Sequence, residues 1–536
     1  MLFRSSRVLT MAKSAHLDTF TRDNLPPIGE WPELDFEHLG YPEHLNCAAE
    51  LITNAIAMVG PEKVALIGPE GSFSYGEIEK AVNKLSNFLL SEGVKPGNRV
   101  LLRGPNNAHI VLLWLAIVRV GAVVVTTIHL QRAGELEKIV DIGQVQYALV
   151  DHRYLEEWEQ VHHFGGRTWI YGSKDIDDVF QQCAVLSDRH SPCNTAADDV
   201  CMLAFTSGST GVPKATMHFH RDVLAIADTF SKEVLKPTSD DVFAGSPPIA
   251  FTFGLGGLVV FPFRVGATSV MLESAAPPVL MEKIVEFNIS VLFTAPTAYR
   301  AMLNSPGEKN FSTLRRCVSA GEHLPIVTWQ QWFDETGIKI IDGIGATELL
   351  HIFISAADDE IIPGMTGKPV PGYRAKVVDE NFDEVARGEF GRLAVQGPTG
   401  CRYLADSRQR TYVQFGWNVT GDIYVQHENG YFQYQSRGDD MIISAGYNIA
   451  APEVENALLT HLAVAEAAVV GLPDEERGMV VTAYVVLRSN HQPSDELRKD
   501  LQEHVKRVIA PFKYPRVIHF LDSLPKTTTG KLQRFR

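Results

Sequence analysis

Short apolar stretches alternate with longer amphipathic stretches along much of this chain. Residues 99–103, 122–128 and 147–151 have the length and apolar character of buried strands. The segments between them, 107–120 and 133–142, carry apolar residues at helical spacing. Parallel strands need crossovers of this length, so the order predicts an α/β fold with a mostly parallel sheet covered by helices on both faces.

The same alternation begins earlier and resumes later. Ser74 and Glu77 have the spacing of a capping box, which predicts the start of a helix. We therefore expect a large N-terminal domain of mostly parallel sheets flanked by helices. Its further predicted elements are strands at 64–68, 200–205, 268–272, 291–294 and 316–319, and a helix from Pro278.

The pattern changes near residue 368. Shorter predicted strands at 375–378, 392–396 and 431–434 are separated by turns, which indicates a β-rich subdomain. A compact α+β pattern then runs to residue 536. Because one core rarely exceeds roughly 250–300 residues, we predict an N-terminal domain at 1–436 and a small, mobile C-terminal domain at 437–536.

The composition argues against some classes of protein. The formal net charge of −15 argues against nucleic acid as the main partner. An acidic protein can still bind a polyanion such as ATP through a local cradle. The longest apolar run, 110–128, is interrupted by Arg119 and Gly121. It predicts a core helix followed by a strand, and no membrane span.

The cysteines and the N-terminal residues give indications of the cellular compartment of the protein. The cysteines are scattered, without a C-x-x-C pair or a histidine at ligand spacing, which predicts reduced thiols, no zinc site and a cytoplasmic protein. Residues 1–10 are basic and contain serine, so a transit peptide is one alternative. We favour Met11 as the true start, with residues 1–10 as an upstream extension. The cysteines are Cys47, Cys183, Cys193, Cys201, Cys317 and Cys401.

The segment 205–217, FTSGSTGVPKATM, follows the apolar run at 200–205. Glycines that turn backbone N–H groups inward, hydroxyl donors and a lysine together predict a cradle for phosphate oxygens, with a solvated turn as the alternative. The spacing differs from the Walker pattern, because Pro213 precedes the lysine and Ala215 follows it. The predicted cradle is Thr206, Ser207, Gly208, Ser209, Thr210, Gly211 and Lys214.

This loop resembles the phosphate loop of the adenylate-forming superfamily, which contains acyl- and aryl-CoA synthetases, peptide-synthetase adenylation domains and luciferases. Further segments resemble other motifs of this superfamily in the same chain order, so that the resemblance covers roughly residues 73 to 536. It implies an enzyme that activates a carboxylate with ATP and Mg²⁺ and transfers it to coenzyme A. These segments lie at 247–254, 319–322, 345–348, 420–422, 437–447 and 525–531.

The resemblance implies roles for several residues at the nucleotide. Thr347 and Glu348 would act in catalysis, with Glu348 as a Mg²⁺ ligand, since Mg²⁺ takes hard oxygen ligands. Asp422 would accept hydrogen bonds from the ribose and Arg437 would add a contact; an exposed turn aspartate is the alternative. Ile344 stands where the family often has a tyrosine that stacks on adenine, which puts that contact in question. Further ATP- or AMP-facing residues would be Gly321, Glu322, Gly345 and Ala346.

The mobile part of the predicted site lies in the C-terminal residues. By resemblance, Lys531 is the lysine of the adenylation step, brought in when the small domain closes, and Asp439 is the hinge. A solvated surface lysine is the alternative. A cation between the carboxylate and the α-phosphate would lower the repulsion of two anions and stabilise the transition state. The coenzyme A tunnel would be formed by Ser444, Ala445, Gly446 and Tyr447.

The predicted acid is aromatic. His351 and Ile352 resemble the pair that lines a short aromatic pocket in benzoate-type CoA ligases, although a core histidine is the alternative reading of His351. Residues 15–20 (AHLDTF) and 22–27 (RDNLPP) resemble the opening of 2-aminobenzoate–CoA ligases. The pocket would contain Thr252, Phe253, Gly254, Ala320, His351 and Ile352.

Alternatives to this function stay open. The chain could be a medium-chain acyl-CoA synthetase, or a freestanding adenylation enzyme that loads a carrier protein. A nucleotide-binding regulator without turnover is a third alternative, against which the intact Lys531, Glu348 and Asp422 argue. The sequence leaves the ring substituents and the oligomeric state, including a homodimer, undetermined.

Overall fold

The computed structural model describes residues 11–206, 212–306, 309–438, 441–444, 447–474, 478–509 and 511–526. Its helices are α1 (Phe20–Asp23), α2 (Cys47–Val59), α3 (Tyr75–Ser91), α4 (Ala108–Arg119), α5 (Ala133–Gly143), α6 (Leu155–Trp158), α7 (Val179–Cys183), α8 (His220–Ile226), α9 (Thr252–Leu255), α10 (Phe261–Arg264), α11 (Pro277–Glu286), α12 (Pro296–Asn304), α13 (Ile326–Thr336), α14 (Gln409–Tyr412), α15 (Ala451–Leu459) and α16 (Asp495–Val508).

The strands belong to several sheets. They are β1 (Val64–Gly68), β2 (Gly71–Ser74), β3 (Arg99–Gly104), β4 (Val123–Ile128), β5 (Tyr147–Asp151), β6 (Arg167–Tyr171), β7 (Val200–Thr206), β8 (Lys214–Phe219), β9 (Val242–Gly245), β10 (Thr268–Val270), β11 (Val291–Thr294), β12 (Arg316–Ser319), β13 (Ile340–Gly345), β14 (Ile352–Ser355), β15 (Lys368–Pro369), β16 (Arg374–Val378), β17 (Phe390–Gln396), β18 (Val413–Gln414), β19 (Trp417–Gln426), β20 (Phe432–Arg437), β21 (Met441–Ser444), β22 (Tyr447–Ala450), β23 (Val464–Asp474), β24 (Gly478–Leu487) and β25 (Val517–Leu521).

Two large sheets of the N-terminal part confirm the predicted α/β class. One has the order β6-β5-β3-β4-β7-β8, with parallel pairing from β6 to β7 and antiparallel pairing of β7 with β8. The other has the order β15-β14-β13-β12-β11-β9-β10-β1-β2, parallel from β1 to β13. Ligands gather at the carboxyl edge of such sheets, where β12 and β13 lead into the motifs at 319–322 and 345–348.

Helix α4 lies at the centre of the largest core. Every residue of α4 except His109 is buried, and the strand β4 that follows is buried along its whole length. These two elements correspond to the core helix and strand predicted from the apolar run at 110–128. Among the described residues, none of the helices combines the length and the apolar character that crossing a lipid bilayer requires.

The later part of the chain forms two smaller sheets. The antiparallel order β16-β17-β19-β18, with β20 beside β19, is the predicted β-rich subdomain. The last sheet has the order β22-β21-β24-β23, with β25 beside β24, and α15 and α16 pack into its core. Arg437 ends β20 and Met441 begins β21, next to the boundary predicted at residue 437.

The segment 247–254 is partly helical. Helix α9 begins at Thr252 within it, and the chain continues through the wider helical turn Gly256–Val260 into α10. Residues 254–263 are buried throughout. A buried backbone must pair its own polar groups, so tertiary burial overrides the low helix propensity of the glycines.

Candidate active site

The predicted phosphate loop connects two antiparallel strands. Thr206 at the end of β7 lies opposite Lys214 at the start of β8 in the strand register. The Thr206 hydroxyl oxygen is buried, and no hydrogen bond to it is found among the described residues. The cradle residues between them, namely Ser207, Gly208, Ser209, Thr210 and Gly211, lie outside the described residues.

Lys214 contacts the motif at 345–348. Its ammonium group lies 3.5 Å from Oε1 of Glu348 and donates a hydrogen bond of 2.7 Å to the hydroxyl of Tyr403. That hydroxyl in turn donates to Oε1 of Glu348. The chain thus brings together a cation and a carboxylate that are 134 residues apart in sequence.

Thr347 and Glu348 begin a short 3₁₀ turn, Thr347–Leu349, just beyond the end of β13. Glu348 is buried and Thr347 half-buried. Gly345 lies at the end of β13, where a Cβ atom would come within 2.8 Å of the backbone of His351. Ala346 and Ile344 are half-buried beside this turn.

Asp422 and Arg437 face each other across β19 and β20. Nη1 of Arg437 donates a hydrogen bond of 2.9 Å to Oδ1 of Asp422. Burial raises the pKa of the Asp422 carboxyl, although the charge of Arg437 and hydrogen bonds from Thr420 and Arg437 oppose this change. The two residues predicted at the ribose therefore form one ion pair.

The motif at 319–322 follows β12 at the carboxyl edge of its sheet. Ala320 is buried, and Gly321 has a left-handed backbone with φ +87°. A side chain at residue 321 would be strained in that conformation. Glu322 follows at the same edge and has one buried carboxylate oxygen.

His351 is buried in an aromatic environment. Its ring centroid lies 4.6 Å from that of Phe261, 5.4 Å from Phe230 and 5.6 Å from Phe253. Burial lowers the pKa of His351 to about 3, with the backbone of Phe253 partly opposing the change. The ring is therefore neutral at physiological pH, and hydrogen bonds to its nitrogens are absent among the described residues.

Close packing fixes the remaining pocket residues around His351. Thr252 and Ile352 are buried, and Phe253 is half-buried. A Cβ atom on Gly254 would lie 2.1 Å from the carbonyl oxygen of Pro248. A Cβ atom on Gly256, which sequence reasoning missed, would lie 2.4 Å from Cδ2 of His351. Phe253, Gly256 and His351 thus share one tightly packed region.

Several predicted residues lie outside the described ranges or at their edge. Lys531, Asp439, Ala445 and Gly446 are outside them. Ser444 is buried at the end of β21, and Tyr447 begins β22 opposite it. In this structure the C-terminal domain contacts the N-terminal domain, where Asn456 on α15 lies 3.1 Å from Nε2 of His323.

Sequence reasoning missed Tyr403 and Asp342. Tyr403 belongs to no motif singled out above, and its role depends on contacts with two distant segments. Asp342 lies inside β13 and lines a cavity with His323 and Thr366. Its Oδ1 is buried and lacks a hydrogen-bond partner among the described residues. An acidic residue among the isoleucines of a strand is the signal that points to it.

Burial raises the pKa of Asp342 from 3.8 to about 8, although the backbone of Gly343 opposes the change. The folded protein therefore favours the protonated carboxyl more than the unfolded chain does. As a consequence, the free energy of unfolding falls as the pH rises from about 4 to about 8, by at most ~1.4 kcal/mol per pH unit. We expect Asp342→Asn to raise the melting temperature of the ligand-free protein at pH 8 more than at pH 5. Exposed Glu335→Gln is the control; equal shifts at both pH values would contradict this prediction.

The scattered cysteines include one spatial cluster. The sulfurs of Cys47 and Cys201 and a ring nitrogen of His220 lie within 4.8 Å of one another, all buried. Burial would raise the pKa of Cys47, but a hydrogen bond with Cys201 and the charge and hydrogen bond of His220 lower it to about 6. Nδ1 of His220 already accepts a 3.1 Å hydrogen bond from the backbone N–H of Cys47. The cysteines that are scattered in the sequence thus include one buried cluster of two sulfurs and an imidazole ring.

Both parts of the chain match models of a known family. The model of the AMP-binding enzyme family matches residues 54–403, and that of the AMP-binding enzyme C-terminal domain matches residues 453–531. The chain belongs to the AMP-binding enzyme family. The family matches contain the Lys214–Glu348 pair and, in the C-terminal part, Lys531.

Relatives within this family include enzymes named for aromatic and for other acids. Benzoate–CoA ligase of Thauera aromatica is 34% identical over 92% of this chain and 96% of its own length. Human mitochondrial acyl-coenzyme A synthetase ACSM3 is 31% identical over 93% of this chain and 90% of its own. The crystal structure of the anthranilate CoA ligase AuaEII with anthranoyl-AMP has a TM-score of 0.88 and 32% identity, covering 93% of this chain and 97% of that one.

Proposed function

We propose that this protein is an AMP-forming ligase that joins an aromatic carboxylate, of the benzoate or 2-aminobenzoate type, to coenzyme A. The observation that carries the proposal is the neutral His351 ring enclosed by Phe230, Phe253 and Phe261. A flat, apolar acid ring would pack well against half-buried Phe253, with the buried rings of Phe230 and Phe261 behind it. The similarity to benzoate–CoA ligase and to the anthranilate CoA ligase structure gives independent support.

The ATP-binding part of the proposal depends on charged residues. Lys214 would contact the phosphates, and the Asp422–Arg437 pair would bind the ribose. Glu348 with the Thr347 hydroxyl offers the hard oxygen donors that Mg²⁺ prefers. Bound there, Mg²⁺ would neutralise phosphate charge. Glu348 itself would keep its carboxylate aimed at that position.

The proposed reaction has two steps. First, a carboxylate oxygen bonds to the α-phosphorus of ATP, and pyrophosphate leaves with the electron pair of the broken P–O bond. Lys531 would stabilise the charge that develops at this phosphorus. Next, the coenzyme A sulfur, after losing its proton, bonds to the acyl carbon and AMP leaves. Closure of the C-terminal domain about residues 437–439 would exclude water from the reactive anhydride.

A medium-chain acyl-CoA synthetase is the second candidate, since a relative named acyl-coenzyme A synthetase ACSM3, 31% identical over 93% of this chain, is not named for an aromatic acid. Pyrophosphate release with benzoate, 2-aminobenzoate, hydroxybenzoates and octanoate, each with and without coenzyme A, separates the candidates. We expect kcat/KM for an aryl acid to exceed that for octanoate by at least about tenfold, or about 1.4 kcal/mol, which is within the range of pocket discrimination. A preference for octanoate would replace the proposal, and turnover only with a carrier protein would also contradict it.

The coenzyme A step has its own test. Replacing Gly446 with tryptophan should block the proposed tunnel, so that aryl-adenylate still forms while thioester formation falls. Single-turnover assays that follow pyrophosphate and thioester separately measure the two steps. Gly165→Trp, at an exposed position where a Cβ atom meets no other atom within 4 Å, is the control. Normal thioester formation by Gly446→Trp would remove the tunnel assignment.

A further inference from the structure

We propose that Tyr403 is a positioning residue that orients Glu348 toward the metal of the bound nucleotide and holds Lys214 beside it. This inference rests on the ATP-binding half of the proposed function. It concerns a residue between the phosphate loop and the metal-binding carboxylate, at the point where the two segments meet.

The Tyr403 hydroxyl contacts only one of the two oxygens of the Glu348 carboxylate. Its hydroxyl accepts a 2.7 Å hydrogen bond from Nζ of Lys214 and donates one to Oε1 of Glu348. The contact from Lys214 to Glu348 also ends on Oε1. Within the described ranges, Oε2 of Glu348 receives no hydrogen bond. The contacts from Tyr403 and Lys214 therefore hold the Glu348 carboxylate through Oε1. Oε2 stays available to a hard cation.

Tyr403 is itself held firmly. It is 1% exposed, and its backbone N–H donates a 2.9 Å hydrogen bond to Oε1 of Gln409. The amide nitrogen of buried Gln409 donates to the carbonyl oxygens of Glu30 and Cys401, at 2.8 and 3.1 Å. A backbone bridge to Thr216 in β8 adds a further restraint. A side chain with so many restraints can define the direction of its hydroxyl.

The hydroxyl serves both neighbours at once, because it accepts from the Lys214 ammonium group and donates to the Glu348 carboxylate. The Lys214 ammonium lies 4.7 Å from the Tyr403 ring centroid, so the ring face also favours this position of the cation.

Nucleotide binding would change the contacts of Lys214 but not the hydrogen bond from Tyr403 to Glu348. Lys214 exchanges part of its interaction with Glu348 for a phosphate oxygen, while the Tyr403 hydroxyl continues to orient Oε1. Hydrogen-bonding partners of metal-ligating carboxylates typically affect metal affinity about 10- to 100-fold. Loss of the hydroxyl should therefore raise the Mg²⁺ requirement of nucleotide binding without changing the acid pocket.

Tyr403→Phe tests this inference, with Tyr412→Phe as the matched control. The Tyr412 ring packs edge-on against Tyr403 at 5.8 Å, and its buried hydroxyl has no hydrogen-bond partner among the described residues. Calorimetry would measure binding of α,β-methylene ATP, which is not cleaved at the α-phosphorus, over a series of Mg²⁺ concentrations. We expect Tyr403→Phe to need about 10- to 100-fold more Mg²⁺ for half-maximal binding, and Tyr412→Phe to match the wild type. Wild-type behaviour of Tyr403→Phe would overturn the inference.

A second variant separates orientation of Glu348 from general support of the fold. In a Glu348→Gln background, Tyr403→Phe should cause little further change in the Mg²⁺ requirement, because both act on one ligand. An equal effect in both backgrounds would overturn the inference, even if the melting temperature falls. No acid is present, so a wrong aryl assignment leaves these results unchanged. Failure of the wild type itself to bind the analogue would instead overturn the ATP-dependent function.

Discussion

Replacing Lys531 with alanine is expected to slow acyl-adenylate formation by about 10²–10³-fold, or about 2.7–4 kcal/mol. The reason is electrostatic, because a carboxylate must approach the α-phosphate, and an alanine leaves the developing negative charge without its cation. Synthesis of the thioester from supplied acyl-adenylate should remain close to wild type, since pyrophosphate has already left. Pyrophosphate release and thioester formation would be measured in separate single-turnover assays.

Lys526→Ala is the matched control in the same C-terminal segment. Lys526 is exposed and pairs with Glu466 at 2.9 Å, and an exposed pair of this kind contributes ~0–1 kcal/mol. We expect its removal to leave both half-reactions unchanged. Equal losses in both half-reactions of Lys531→Ala would contradict a role confined to adenylation. Normal adenylation by Lys531→Ala would remove the assignment of this lysine.

Replacing Glu348 with glutamine is expected to lower the adenylation rate by an amount on the order of 10²–10³-fold. Glutamine keeps the shape of the side chain, but it removes the negative charge that would bind Mg²⁺ and that pairs with Lys214 at 3.5 Å. The pair is largely buried, so loss of one partner leaves a cation poorly compensated. The rate would be measured as pyrophosphate release at increasing concentrations of Mg²⁺ and ATP.

The dependence of the adenylation rate on Mg²⁺ concentration tests whether Glu348 binds the metal. If Glu348 is a metal ligand, high Mg²⁺ should recover part of the activity of Glu348→Gln. Exposed Glu360→Gln is the control and should show the wild-type Mg²⁺ dependence. A rate of Glu348→Gln that equals the wild type, or a loss that is the same at every Mg²⁺ concentration, would contradict the metal-binding role.

Much of the fold could be predicted from local patterns. The capping box at Ser74 and Glu77 is present at the start of α3, and the strands predicted at 64–68, 291–294 and 316–319 match β1, β11 and β12. These elements have short-range signals, namely a cap or a continuous apolar run. The helix α9 and the turn Gly256–Val260 could not be predicted from them, because their glycines are helical only through burial in the core.

By itself the sequence determined the α/β class, the order of the motifs and the residue types that AMP-forming chemistry requires, because strand, cap and loop signals are local. Only the tertiary structure joined Lys214, Glu348 and Tyr403, enclosed His351 with phenylalanines, and left an oxygen of Asp342 without a partner among the described residues. These properties depend on burial and on contacts between residues far apart in the chain. A pKa or an orientation follows from such surroundings, which no single stretch of sequence contains.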